Sequence, residues 1–284
     1  MERDRDPRLD KILVAVDFTE PSLSAAKWAA KVLAPGGTLQ LVTVVEPPPP
    51  APSLAPRFPS TESLVESARA EALQKLNRLA DGIGPGSASK DIEVGRPHEK
   101  ILKVAREGGA NVIVLGRQSV GEGGWARVGA IAQRLLRAAA LPILVVPEKA
   151  SSLPRHVLVA VDDSPMTGVV LEWARLLGER FSSTVTAVHA LSREGSTDEI
   201  AQAGQWLEQR IGKAGALGQM KPRIAAGIRR PAEAIIDEAR SLGAELIIIG
   251  SHGAGAGDGT TFGSVAESVV VSAPCPVFVA VEGP

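Results

Sequence analysis

The sequence of 284 residues contains one pattern twice, and this duplication constrains the fold more than any other feature. Residues 12–33 align without a gap on residues 157–178, and residues 95–116 align on residues 229–250. The repeat is much longer than the units of solenoid proteins, so it indicates a duplicated domain. A chain of this length is also large enough for two domains that each bury a core.

We predict a first domain over residues 1–149 and a second over residues 150–284, with the linker between them at residues 147–156. Within each copy, short β-branched runs alternate with helical patterns, which is typical of βαβ units and a parallel sheet. The predicted class is therefore α/β, with a doubly wound, five-stranded sheet in each domain. In the second copy we expect strands near residues 156–161, 184–190, 223–227, 245–249 and 276–281.

One helix of the second copy has a recognisable beginning. Ser164 is predicted as its N-cap and Pro165 as its first helical residue. Val170, Trp173 and Leu177 follow at helical spacing, so we expect their side chains in the core.

Composition and charge exclude several classes of protein. The formal net charge is −1, without the basic excess that is typical of nucleic-acid-binding proteins. No apolar run approaches the roughly 18–20 residues that span a bilayer, and the charged start is unlike a secretory signal. The single cysteine, Cys275, can form no disulfide within the chain, which is typical of a reducing compartment. We therefore expect a cytoplasmic protein that binds neither nucleic acid nor membrane.

A glycine-rich segment follows the fourth predicted strand of the second copy, where residues 250–264 hold six glycines. A flexible linker is disfavoured because a helical pattern resumes at once. A dinucleotide fingerprint and a Walker loop do not match the spacing of these glycines. The remaining interpretation is a phosphate-binding loop, because glycines let backbone N–H groups approach an anion and Ser264 begins a helix whose N-terminus favours negative charge.

The spacing Gly250-x2-Gly253-x9-Gly263-Ser264 resembles the nucleotide motif of the ATP-binding universal stress proteins. A first strand that ends at Asp162 also fits that family, and the resemblance covers nearly the whole chain. It implies two tandem Rossmann-like domains of the adenine nucleotide alpha hydrolase-like fold, arranged as a pseudo-dimer. It also implies a stress-response or regulatory role.

The same resemblance implies a site for ATP, ADP or AMP in the second domain, with Mg²⁺ brought by the phosphates. Asp162 would hold the ribose side, the backbone at Ala190 would meet the adenine edge, and the start of the last helix would bind phosphate. The implied binding residues are Ala160, Val161, Asp162, Ala190, Gly250, His252, Gly253, Gly263, Ser264 and Val265.

The first copy departs from this motif. Ser119 stands where the second glycine is expected, and Ala130 stands where the hydroxyl is expected. Asp17, Gly116 and Gly129 are retained.

Two interpretations of the first copy remain open. Either it is a structural copy without a ligand, or Arg117 and Arg127 recruit another anion. We favour the copy without a ligand and expect one nucleotide per chain.

The two copies differ most at residues 47–59, where thirteen positions hold seven prolines. Such composition is typical of a polyproline-II-like loop. An exposed flap and a docking segment for a partner's aromatic groove both remain open.

The sequence favours a binding protein over an enzyme, because it contains neither a nucleophile elbow nor a cluster of metal ligands. At most, slow ATP hydrolysis is expected, and the expected partner is an unidentified regulatory protein. Two alternatives stay open: an interaction module that has lost its ligand, and an adenylyl-handling enzyme or flavoprotein of the same broad fold.

The last strands of the two copies, at residues 143–147 and 277–281, are both apolar. Single-domain members of the family commonly pair such strands between subunits, so we expect these two to pair within the chain. That pairing would cover two edges that otherwise invite aggregation. A further homodimer remains open.

Overall fold

The structure is a computed structural model that describes residues 9–35, 37–49, 60–84, 88–117, 129–150, 153–191, 194–227, 230–254 and 262–282. The first half alternates strands and helices in the order β1 (Lys11–Ala15), α1 (Glu20–Val32), β2 (Thr38–Val45), α2 (Thr61–Ile83), β3 (Ala88–Val94), α3 (Pro97–Gly108), β4 (Val112–Arg117), α4 (Ala130–Ala138) and β5 (Ile143–Pro147). The second half repeats this order as β6 (His156–Val161), α5 (Met166–Phe181), β7 (Thr184–Ala190), α6 (Thr197–Lys213), β8 (Met220–Ala225), α7 (Pro231–Ser241), β9 (Leu246–Gly250), α8 (Ser264–Ser272) and β10 (Val277–Ala280).

The described strands form one ten-stranded sheet in the order β3-β2-β1-β4-β5-β10-β9-β6-β7-β8. Neighbouring strands within each half are parallel. In each half the chain order therefore reverses beside the first strand, between β1 and β4 and between β6 and β9. This topology confirms the predicted α/β class with a doubly wound sheet in each half.

The two halves join through their last strands. β5 and β10 are antiparallel, with Leu144 opposite Phe278. The pairing within the chain that the family resemblance implies for these two apolar strands is therefore confirmed. The buried apolar cluster on one face of the sheet includes Leu144 of β5 and Phe278 of β10, so the core continues from one half to the other. Within the second half, the rings of Trp173 and Phe278 lie 4.7 Å apart between centroids.

Two apolar layers cover the two faces of the sheet. Ile12 and Val14 belong to one layer and Leu13 to the other, as the alternation of side chains along a strand requires. Helices α1, α2, α5 and α6 pack on the first face, and α3, α4, α7 and α8 pack on the second. The central strands are buried on both faces, which explains their continuous β-branched composition.

Two local predictions are wrong. The third strand of the second half spans Met220–Ala225 rather than residues 223–227. It includes Pro222, because β8 is an edge strand and a proline there removes no hydrogen bond from a neighbour. Ser164 is not the N-cap of α5, which begins at Met166 with Pro165 at the N-cap position. The Ser164 hydroxyl donates instead to the carboxylate of Asp162.

Three further expectations concern the core of α5, membrane-spanning helices and the two segments of unusual composition. Val170, Trp173 and Leu177 are buried, as their spacing predicts. Within the described part of the chain, no helix is long and apolar enough to cross a membrane. Much of the proline-rich and glycine-rich segments lies outside the described residues, at 50–59 and 255–261.

Candidate functional site

A cavity of about 610 Å³ lies at the carboxyl ends of β6 and β9, where the strand order of the second half reverses. Doubly wound sheets bind their ligands at this position. All ten residues that the family resemblance implies for the ligand site line this one cavity. Its size falls within the roughly 300–1,000 Å³ of ordinary small-molecule sites.

Asp162 connects two walls of the cavity. Its Oδ1 accepts a hydrogen bond from the Ser164 hydroxyl at 2.5 Å, and its Oδ2 accepts one from the backbone N–H of Ala254 at 3.0 Å. The Thr167 hydroxyl donates to the Asp162 carbonyl. The carboxylate at the end of β6 is therefore held in one orientation and ties the glycine-rich segment to the sheet.

Gly253 is the position where a side chain would disturb this arrangement most. A Cβ atom at residue 253 would lie 2.4 Å from Oδ2 of Asp162, which is far inside van der Waals contact. At Gly250 the nearest atom would be Cβ of Met166, at 3.1 Å. The structure thus explains the second glycine of the motif by the close approach of Asp162, a reason that the spacing alone does not reveal.

The first turn of α8 forms another part of the cavity wall. Its N-cap, Gly263, provides no side-chain hydrogen bond to the helix. Helix N-termini leave their first N–H groups without intrahelical acceptors, so those of Ser264, Val265 and Ala266 remain for another acceptor. The N–H of Gly263 itself donates to the Ser251 carbonyl at 2.8 Å. The N–H of Gly263 is therefore already engaged within the loop, although the residue itself lines the cavity.

His252 and Ala190 occupy the rim. His252 is half-buried, and its Nδ1 lies 3.1 Å from the Ser251 hydroxyl. Ala190 is the last residue of β7 and is also half-buried. Its neighbour His189 packs on Trp206 with ring centroids 4.8 Å apart, which helps to fix the end of β7.

Apolar side chains form much of the cavity wall, and sequence reasoning did not assign them to the site. They come from α5, α7, β9 and the residue before the N-cap of α8. Their helical or strand periodicity is the same as that of core residues, so the sequence carried no separate signal for them. They are Met166, Val170, Pro231, Ile235, Ile249 and Phe262.

The described lining residues carry little formal charge. Asp162 is the one carboxylate among them, and they include neither lysine nor arginine. An anion at this site would therefore depend on backbone N–H groups and the positive end of the α8 dipole.

The corresponding region of the first half is packed more tightly. A Cβ atom at Gly116 would lie 2.4 Å from the backbone carbonyl of Pro21, in the first turn of α1. At the equivalent Gly250, the nearest contact is a side-chain atom at 3.1 Å. The beginning of α1 therefore approaches β4 more closely than the beginning of α5 approaches β9.

Asp17, the counterpart of Asp162, is engaged within its own turn. Its Oδ1 accepts from the N–H and the hydroxyl of Thr19, at 3.0 and 2.6 Å. Desolvation raises the pKa of this carboxyl, but the hydrogen bonds from Thr19 and Ser22 outweigh it and hold the pKa below its ordinary value. Ala130 begins α4 after Gly129, whereas Ser119 and Arg127 lie outside the described residues.

The interpretation that Arg117 recruits an anion in the first half is wrong, because its guanidinium is buried and bonded elsewhere. Its side chain is only 3% exposed and extends to the second half. Nη1 donates to the Val271 carbonyl and Nη2 to the Ala273 carbonyl, both at 2.7 Å. The guanidinium is thus committed to the end of α8.

Fold and cavity together define the chain as a tandem, doubly wound α/β protein with a ligand pocket at the switch point of its second half. The sequence model described as "Universal stress protein family" matches residues 8–147 and again residues 154–280. The chain belongs to the universal stress protein family.

Individual proteins show the same likeness. A universal stress protein of Mycobacterium tuberculosis is 28% identical over 95% of this chain and 94% of its own length. The crystal structure of a universal stress protein from Archaeoglobus fulgidus has a TM-score of 0.74 at 21% identity, covering 96% of this chain and 98% of that chain. A shorter universal stress protein from Archaeoglobus fulgidus was solved in complex with dAMP; it is 27% identical, with a TM-score of 0.37, over 45% of this chain and 98% of that chain.

Proposed function

We propose that the chain binds one adenine nucleotide in the cavity of its second domain, for which we propose the limits 150–284. We further propose that it acts in the cytoplasm as a stress-response regulator rather than as a dedicated catalyst. One observation carries the binding proposal: the fixed carboxylate of Asp162 and the uncapped first turn of α8 line the same cavity.

Asp162 is suited to hold the ribose. Each carboxylate oxygen can accept two hydrogen bonds. Oδ1 accepts one from Ser164 and Oδ2 accepts one from Ala254, so each oxygen can accept one more. Capacity therefore remains for the hydroxyl groups of a sugar. Because the carboxylate is already oriented, a ligand would not have to order it, which lowers the entropic cost of binding.

The first turn of α8 is suited to hold phosphate. The free N–H groups of Ser264, Val265 and Ala266 lie where the helix dipole is positive, and the Ser264 hydroxyl adds a further donor. Each charge-assisted hydrogen bond to an anion contributes about 1.5–3 kcal/mol. Mg²⁺, if it binds, would arrive coordinated to the phosphates rather than in a protein cage.

The apolar walls are suited to hold the base. Ile235, Ile249 and Phe262 give the cavity a surface on which an aromatic ring can pack, and Ala190 brings backbone polar groups to the rim. A nucleobase needs this combination of an apolar slot and a few polar groups at its edge.

Calorimetric titration of nucleotide-free protein tests the proposal. ATP, AMP and GTP are titrated separately, with and without Mg²⁺. We expect saturable binding of adenine nucleotides and weaker binding of GTP, because the exocyclic groups of guanine differ at the edge that meets Ala190. Absence of heat with every adenine nucleotide, confirmed by equilibrium dialysis, would leave a protein-interaction role instead.

A further inference from the structure

Helix α8 has one end in the cavity and the other end at the first domain. Its first turn lines the ligand site, and its last carbonyls accept hydrogen bonds from Arg117, the last residue of β4. The helix spans Ser264–Ser272, a length of about 13 Å at 1.5 Å per residue. The first domain therefore contacts the same rigid element that forms the predicted phosphate-binding wall.

The contact made by Arg117 is buried and geometrically defined. Both Nη atoms lie 2.7 Å from their acceptors, the carbonyls of Val271 and Ala273. Burial lowers the pKa of the guanidinium, and the negative end of the α8 dipole compensates for its desolvation. Any movement of α8 would separate this buried charge from its acceptors, so the contact holds the helix in place.

The equivalent position in the second half, at the end of β9, makes no such contact with α4 among the described residues. Ser251 stands at the position equivalent to Arg117, and its hydroxyl lies 3.1 Å from Nδ1 of His252 in its own loop. A serine side chain is also too short to span the junction. The half with the degenerate motif thus supports the half with the cavity.

A second contact from the first domain is weaker. Arg137 of α4 lies 3.6 Å from Glu267 in the first turn of α8, with side chains that are 59% and 37% exposed. Exposed ion pairs contribute little because water and salt screen them. Of these two polar contacts from the first domain, the one made by Arg117 is therefore the stronger, and it adds to the apolar packing of α8 through its buried residues Val269 and Val270.

We propose that Arg117 is a positioning residue for the ligand site of the second domain. It holds α8 from its C-terminal end and so fixes the direction of the N–H groups at the first turn. The effect on ligand affinity rests on the proposed nucleotide site, whereas the effect on α8 itself does not. By thermodynamic linkage, a ligand that orders α8 also strengthens the junction between the domains.

Three variants of the full chain test this role. Arg117→Met removes both hydrogen bonds but keeps an apolar side chain, and Arg117→Lys restores the charge without the two-pronged geometry. Arg180→Met is the matched control: Nη2 of Arg180 also crosses between the domains, donating to the carbonyls of Leu33 and Pro35 at 2.6 and 2.8 Å. Those carbonyls lie at the end of α1, which does not line the cavity.

The first measurement is amide hydrogen exchange of the ligand-free proteins. We expect faster exchange at residues 267–272 in Arg117→Met, a partial return in Arg117→Lys, and no change there in Arg180→Met. Unchanged exchange in Arg117→Met would overturn the proposal even if the chain bound no nucleotide. If Arg117→Met does not fold, Arg117→Lys provides the milder variant that should speed exchange at residues 267–272, whereas Arg137→Gln should leave it nearly unchanged; unchanged exchange in Arg117→Lys would then overturn the proposal.

The second measurement compares the affinities for ATP and adenosine. Arg117→Met should weaken ATP binding by about threefold to thirtyfold, the range for mutations that act through a packed element. Adenosine should be affected much less because it has no phosphate to meet α8, whereas general destabilisation would weaken both ligands alike. Equal losses for ATP and adenosine, or equal losses of ATP affinity in Arg117→Met and Arg180→Met, would overturn the positioning role. Absence of binding by the wild type would contradict the proposed function alone.

Discussion

We expect the Gly253→Ala variant to bind adenine nucleotide about tenfold to a hundredfold more weakly than the wild type. The added methyl group would lie 2.4 Å from Oδ2 of Asp162, so the carboxylate must move. That movement breaks its hydrogen bond to the N–H of Ala254 and disturbs the acceptor proposed for the ribose. The loss corresponds to roughly one charge-assisted hydrogen bond, or ~1.5–3 kcal/mol. Calorimetry with ATP measures the affinity directly.

Two controls separate this effect from general consequences of replacing a residue by alanine. A Cβ atom at Gly204, within α6, meets nothing within 4 Å. Gly204→Ala should therefore leave affinity unchanged and stabilise the fold by about 0.5–1 kcal/mol. Ser119→Ala changes the equivalent position of the first copy and should barely affect binding. Equal losses in Gly253→Ala and Ser119→Ala would contradict the asymmetry between the two halves.

Asp162→Asn is expected to lower affinity by a similar factor, about tenfold to a hundredfold, because hydrogen bonds to a charged acceptor contribute ~1.5–3 kcal/mol. The amide has the same shape as the carboxylate and can still accept from Ala254, so the fold should persist. A carboxylate oxygen of Asp162 can accept hydrogen bonds from both the Ser164 hydroxyl and a ribose hydroxyl. The NH₂ group of asparagine only donates hydrogen bonds, so it cannot replace that oxygen. Binding isotherms with ATP and with adenosine should both weaken, since the ribose is common to both ligands.

Asp17→Asn is the matched control in the first half. Hydrogen bonds from Thr19 and Ser22 hold the folded-state pKa of Asp17 below its ordinary value. Its carboxylate therefore stabilises the fold above the unfolded pKa of about 3.9, and this contribution is lost as the pH falls through the lower folded pKa. Asp17→Asn should lower the melting temperature at pH 7 more than at pH 3, without changing nucleotide affinity. A loss of affinity as large as that of Asp162→Asn would show that the first half takes part in binding.

Much of the fold followed from the sequence because the duplication and the alternation of strand and helix patterns are local signals. The junction between β5 and β10 was expected from the family resemblance together with the apolar composition of both strands, rather than from a local signal alone. Two errors came from tertiary context. Pro222 is tolerated because β8 is an edge strand, and Ser164 does not cap α5 because its hydroxyl donates to Asp162.

The site was predictable where spacing encoded it and unpredictable where it depended on distant contacts. Glycine spacing and strand ends placed Asp162 and Gly253 at one rim, but the contact between them appears only after folding. Met166 and Val170 have the periodicity of core residues, so the sequence does not distinguish side chains that line the cavity from side chains that fill the core. Arg117 meets α8 across 154 residues of sequence, and no local pattern records such a contact.

Counting the nucleotide bound per chain tests the central claim most directly. Freshly purified protein is denatured, and the released nucleotides are separated by chromatography, identified by mass spectrometry and quantified per mole of chain. A nucleotide-free sample is then saturated with ATP and Mg²⁺, and its bound nucleotide is quantified in the same way. We predict one adenine nucleotide per chain at saturation in the wild type and in Ser119→Ala, and clearly less than one in Gly253→Ala at an ATP concentration that just saturates the wild type. Two nucleotides per chain, or none at saturating ATP, would contradict this claim.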